Sequence, residues 1–172
     1  MRILLKRLIT AIRFVAAGIV VACFVYMTLA VLAQVFGRYL FNYSISWTEE
    51  TAKFAQIWVV FIGAGIAMRR GWHVAVDVLP AMLPRGPARA VSIVIAGGCI
   101  GFLGIVVYGS LPLIELGWNF ETSPVLLTPM WVIYLCIPIG AFYFALEIVL
   151  WVIERWDQPY GMREDARAED IP

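Results

Sequence analysis

Residues 91–113 read VSIVIAGGCIGFLGIVVYGSLPL, a run without a single charged side chain. A bilayer core about 30 Å thick needs roughly 20 apolar residues of helix to cross it. Within lipid no water satisfies exposed N–H and C=O groups, so such a run is either a helix or a strand of a closed barrel. No period-2 alternation runs through it, which leaves the helix. Working outward, three further stretches read the same way: about 14–36, 51–68 and 127–151. None carries a charge near its midpoint. Of the 172 residues 62% are hydrophobic and 15% charged, with a mean hydropathy of +0.86. A soluble domain of this size has too little interior for that much apolar surface. The sequence therefore predicts an all-α integral membrane protein: four transmembrane helices in a single domain over 1–156, then a charged tail over 157–172.

Orientation follows from the basic residues, which accumulate on the cytoplasmic side of membrane proteins. The chain holds 13 Lys and Arg. Arg2, Lys6, Arg7 and Arg13 precede the first span; Arg69, Arg70, Arg85 and Arg89 lie between the second and third; Arg155, Arg163 and Arg167 follow the fourth. Only Arg38 and Lys53 fall on the opposite side, so both termini are expected in the cytoplasm. A basic stretch before an apolar run also resembles a secretory signal, with a cleavage site after Ala33. The run is longer than a signal core, and a retained first span is expected. Cys23, Cys99 and Cys136 all fall within spans and read as small packing residues rather than a disulfide framework.

Local patterns add detail. Residues 1–13 alternate cationic and apolar positions, as in a short helix lying on the anionic inner leaflet before the chain turns into the bilayer. Ser46 followed by Glu49 has the spacing of a capping box at the start of span two, with Glu50 favoured there by the helix dipole and Lys53 one turn beyond Glu49. Arg69, Arg70 and Gly71 end that span. Residues 72–83 are too short and polar to cross, and read as a cytoplasmic interfacial helix with His73 and Asp77 four apart on one face. Gly97, Gly101 and Gly104 put small residues on span three, where another helix could approach closely. Pro129 and Pro138 predict a bend in span four.

What is missing bears on function. With His73 the single histidine, paired axial ligands for a haem cannot come from this chain. No span carries a His/Cys/Asp/Glu cluster at metal-ligand spacing, and no phosphate loop follows a strand. Ion and substrate pathways in membranes normally carry an ionisable residue facing the bundle interior. Here Glu115 and Glu147 sit near span ends, where they are expected to reach headgroups. The chain reads as a helper that holds or orients a larger partner. The alternatives are the anchor subunit of a membrane oxidoreductase, or a small autonomous four-helix exporter with Glu147 as its essential carboxylate.

The run from Arg38 through Tyr39, Phe41 and Tyr43 to Trp47, Glu49 and Glu50, followed by Trp58, Gly63, Gly65, Arg69, His73 and Asp77, closely resembles the small membrane subunit of TRAP (tripartite ATP-independent periplasmic) transporters, the DctQ-like family. The resemblance is densest over residues 34–80 and elsewhere is one of architecture. It implies a non-catalytic small permease subunit, multi-pass in a bacterial inner membrane, without a cofactor on this chain. It further implies a large membrane partner subunit that carries sodium and substrate sites and moves as an elevator, and a periplasmic substrate-binding protein delivering an organic carboxylate. Phospholipids are expected contacts, nucleic acid is not. On the outer face Arg38, Trp47, Glu49, Glu50 and Lys53 are candidate partner contacts; for Glu49 and Glu50 helix capping is the competing role, for Arg38 headgroup anchoring. At the inner surface Arg69, Arg70, His73 and Asp77 are a candidate structural network. Gly97, Gly101 and Gly104 are a candidate packing face.

Overall fold

The computed structural model describes residues 2–43, 46–70 and 84–156. Among them four helical stretches are long and apolar enough to cross a membrane: Lys6–Leu40, Ser46–Arg70, Gly86–Asn119 and Trp131–Glu154. The protein is thus a multi-pass, all-helical membrane protein, as the apolar runs predict. The expected interfacial helix 72–83, with His73 and Asp77, and the tail 157–172 lie outside the described residues.

Helix α1 spans Arg2–Leu40, 39 residues without interruption. This differs from the short surface helix expected over 1–13. No glycine or proline breaks the chain before Phe14, and Thr10 Oγ1 donates to the Lys6 carbonyl at 2.9 Å inside an unbroken helical ladder. At 1.5 Å per residue α1 is roughly 58 Å long, well beyond the bilayer core, so its basic first turns project out of the lipid. Helix α2 (Ser46–Arg70) returns antiparallel to it, and α3 (Arg85–Asn119) continues through Pro112.

The fourth span starts later than the sequence suggests. Residues 121–130 form a folded loop in which Thr122 pairs with Pro129 in one antiparallel bridge and Leu127 adopts φ 53°. A one-turn helix α4 (Trp131–Tyr134) follows, then a break at Leu135 and helix α5 (Cys136–Glu154). Pro138 explains the break: its ring would clash with the carbonyl of Tyr134 and it has no N–H to give. Pro129, expected inside the span, belongs to the loop.

These helices do not close into a bundle. α1 packs on α2, α2 on α5 and α5 on α3, with α4 tucked between α3 and α5; α1 and α3 do not touch. The result is a row in the order α1–α2–α5–α3. Only 6% of the apolar window of α3 is buried inside the protein, against 33% of the window in the span formed by α4 and α5. The small core lies where three helices meet: Ala16 of α1, Ile62 of α2 and Tyr143 of α5, flanked by Val20, Trp58, Ile66 and Leu146.

Close approach along the row is made at Gly65 and Gly140. A Cβ on Gly140 would come within 2.6–2.9 Å of Phe61 Cβ, O and C, and one on Gly65 within 2.5 Å of the Tyr143 ring. By contrast, a Cβ on Gly97, Gly101 or Gly104 would meet nothing within 4 Å. Their face of α3 therefore packs against no helix of the described chain. Gly140→Ala must push α2 and α5 apart against backbone atoms, and is expected to lower stability by about 1–3 kcal/mol, whereas Gly101→Ala leaves it unchanged. Thermal unfolding of the two variants in the same detergent checks this.

Candidate functional site

An ion pair lies deep in the protein. Arg13 of α1 donates from Nε to Oε1 of Glu147 at 2.9 Å and from Nη2 to Oε2 at 2.7 Å, a two-pronged pair between side chains 134 positions apart. The Glu147 side chain is 1% exposed and that of Arg13 18%. Glu154 approaches the same guanidinium at 3.7 Å. Helix geometry puts Glu147 about 10 Å along α5 from Glu154. It therefore does not reach for headgroups, the position expected from sequence. A lone carboxylate at that depth would be strongly unfavourable, and the planar guanidinium matches both of its oxygens. The signal was present as one carboxylate in an apolar span, but nothing local identified its partner.

Three contacts set which helix ends lie together. Arg13 with Glu147 and Arg89 with Trp156 gather the start of α1, the start of α3 and the end of α5. Glu50 with Leu126 gathers the start of α2 and the loop before α4. The first end carries Arg13, Arg89 and Arg155, together with Arg69 and Arg70 in the last turn of α2. Arg69 and Arg70 are exposed there, while the rest of their expected network lies outside the described residues.

At the opposite end the candidate residues divide. Glu50 is 8% exposed, and its Oε2 accepts the Leu126 N–H at 2.9 Å. It is turned inward to hold the loop over residues 121–130, so at that end it is buried rather than exposed. The loop is further fixed around the fully buried Ser123: its N–H donates to the Thr128 carbonyl, and its Oγ accepts the Thr128 N–H at 3.2 Å. Glu121 Oε2 accepts the Tyr134 hydroxyl at 2.9 Å. Glu49 is exposed; Lys53 donates to its Oε1 at 2.7 Å and Gln34 of α1 to its Oε2 at 3.4 Å. Nearby, Tyr26 of α1 donates to Thr51 of α2 at 2.7 Å. Arg38 lies in the last turn of α1, and Trp47 is half exposed at the start of α2. Arg38, Trp47, Glu49 and Lys53 thus share an accessible end of the α1–α2 pair.

Among the described residues no group of three or more His, Cys, Asp or Glu is placed to hold a metal ion. Cys136 is fully buried and Cys23 half-buried, both within helices.

Residues 27–158 match the family model described as the DctQ component of tripartite ATP-independent periplasmic transporters. The chain is similar to the C4-dicarboxylate TRAP transporter small permease protein DctQ of Vibrio cholerae, 34% identical over 55% of this chain and 38% of that protein. It is similar to the protein of the same description from Rhodobacter capsulatus, 32% identical over 57% of this chain and 44% of that one. It also resembles the isethionate TRAP transporter permease protein DctMQ of Oleidesulfovibrio alaskensis, 28% identical over 79% of this chain and 22% of that one. The chain therefore spans less than half the length of these relatives.

Removing one partner of the buried pair leaves the other charged and unpaired. Arg13→Gln or Glu147→Gln is expected to cost about 3–5 kcal/mol, and the joint replacement Arg13→Met with Glu147→Leu far less than the sum. Thermal unfolding across this double-mutant cycle measures the coupling. Glu50→Ala releases the loop, so amide exchange at Leu126 should rise by at least about tenfold while exchange in α5 is unchanged.

Proposed function

The chain belongs to the DctQ component family of tripartite ATP-independent periplasmic transporters, and from that premise we propose that it is a scaffold subunit, holding a larger membrane subunit that itself carries the solute and its coupling sodium ions. The observation that carries this reading is the open row of helices. A protein that conducts a solute alone needs a cavity between its helices with polar groups lining it. Here four spans stand side by side, and the most deeply buried carboxylate among the described residues, Glu147, is taken by Arg13. A row does suit a wall, because both of its faces stay open to a neighbour.

The relative named permease protein DctMQ supports a large partner, since the match takes in only 22% of its length. The names of the relatives differ in solute, C4-dicarboxylate in one and isethionate in another. An organic carboxylate, brought by a periplasmic binding protein, is the class we assign to this system. The excess of Lys and Arg supports a cytoplasmic side for the end with Arg13, Arg69, Arg89 and Arg155, and the bacterial inner membrane is the membrane we assign. The end with Arg38, Trp47, Glu49 and Lys53 then faces the periplasm, where Arg38 is the residue we assign to contact with the binding protein.

A tagged copy should co-purify with a much larger multispan protein; recovery of this chain alone from cells that express the whole system would overturn the scaffold reading. Arg38→Glu should lower solute uptake by roughly tenfold at low salt while the complex still assembles. Unchanged uptake would remove the docking role of Arg38 and leave the scaffold intact.

A further inference from the structure

Lys6, Arg7, Thr10, Ala11 and Phe14 surround a shallow depression of about 520 Å³ on one face of α1. Thr10 and Ala11 are short and form its floor, while the longer Lys6, Arg7 and Phe14 form its rim. At 3.6 residues per turn, Arg7, Ala11 and Phe14 lie at least about 100° round the helix from Arg13, Ala16 and Val20. Those three are the residues that α1 turns toward α2 and α5, so the depression opens away from the protein. Lys6 and Arg7 are exposed, and among the described residues neither side chain has a hydrogen-bond, ion-pair or ring partner. The Thr10 hydroxyl donates to the Lys6 carbonyl at 2.9 Å. The donors left for a ligand are therefore the Lys6 ammonium and the Arg7 guanidinium.

We propose that this depression seats the phosphate of an anionic phospholipid of the inner leaflet, with the acyl chains running along α1. Three features select that occupant. The first is depth. Arg13 reaches both Glu147 and Glu154, so it stands level with the last turns of α5, near Trp151 and Trp156. Tryptophan at the end of a span marks the headgroups. Lys6 and Arg7 lie about 10 Å further out along α1, which places them at the phosphate layer and leaves Phe14 at the edge of the hydrocarbon. The second is charge: two unpaired cations at adjacent positions, with no carboxylate around the depression, in the leaflet that carries anionic lipid. The third is the surface below them. Phe14, Val21 and Val25 fall on one face of α1 and are 78%, 61% and 49% exposed. They offer acyl chains a track that a free phosphate would not use. The unbroken course of α1 matters here. Lying flat, the segment would spread its cations over many headgroups; upright, it gathers Lys6 and Arg7 above one lipid-facing stripe.

The assignment rests on the cytoplasmic side given above to this end and not on the partner subunit, so its failure would leave the scaffold reading standing. The test uses the full chain in nanodiscs of phosphatidylcholine with about one-fifth phosphatidylglycerol, followed by native mass spectrometry of the lipids that remain bound. Wild type should retain phosphatidylglycerol over phosphatidylcholine, and Arg7→Gln should reduce that preference roughly fivefold. Arg7→Gln combined with Leu8→Lys keeps the number of cations but moves one to another face of α1, and should stay as low as Arg7→Gln alone. Because the Arg7 side chain has no partner, Arg7→Gln should unfold at the wild-type temperature. Equal retention of the two lipids by wild type would overturn the proposal. So would an unchanged preference in Arg7→Gln, or its recovery on adding Leu8→Lys, which would mark a general attraction to the surface. Displacement of the lipid by millimolar inorganic phosphate would overturn it as well, as the behaviour of a site for a free anion. Should Arg7→Gln fail to fold, Lys6→Gln must show the same loss for the proposal to stand.

Discussion

The pair between Arg13 and Glu147 is the constraint from which the rest of the arrangement follows. In lipid, apolar surfaces gain little by choosing one another over acyl chains, so helix rows are held by close packing and polar contacts. Among the described residues this is the one deep ion pair, and it joins α1 to α5 across the end of α2. α1 has only α2 as a helical neighbour, and it reaches α5 through side chains alone. Without the ion pair, α1 could swing about its contact with α2. With it, Ala16, Ile62 and Tyr143 close on one another, and the small core has a defined shape.

The other end is fixed by the same chemistry with a backbone group in place of the guanidinium. Glu50 accepts the Leu126 N–H, and so sets the loop 121–130 on the start of α2. Buried carboxylates are thus spent on geometry at both ends: Glu147 through a cation, Glu50 through a peptide N–H. Between those ends the spans meet through small residues and apolar packing, Gly65 beneath Tyr143 and Gly140 against Phe61.

How far this was legible from sequence depends on the range of the interaction. The spans were legible because hydropathy acts on each segment separately, and a run such as residues 91–113 leaves no alternative in lipid. The Glu49–Lys53 pair was legible for the same reason, since four residues on one helix fix the distance. The Arg13–Glu147 pair joins opposite ends of the chain, and neither residue's neighbours name the other. The inward turn of Glu50 depends on a loop folded around Ser123, more than seventy positions away. The fourth span starts later than hydropathy indicates because Val125, Leu126 and Leu127 are as apolar as a span, yet Leu127 takes a left-handed backbone and Pro129 pairs with Thr122. Gly97, Gly101 and Gly104 carried a pattern for close packing that no helix of the described chain uses.

That last mismatch bears on how such a row can exist at all. A closed bundle satisfies its own small-residue faces, whereas here the glycine face of α3 and much of α1 stay open. Lipid tolerates an open apolar face, so openness alone does not demand a partner. Among the described residues the deepest ion pair and the close helix approaches lie within the row. A neighbour could therefore dock along the open faces without disturbing the Arg13–Glu147 pair. The scaffold role proposed above would need that property, since the internal order of a scaffold must not depend on the position of its neighbour. The pair at Arg13 and Glu147 meets the need by keeping the strongest contact of the wall inside the wall.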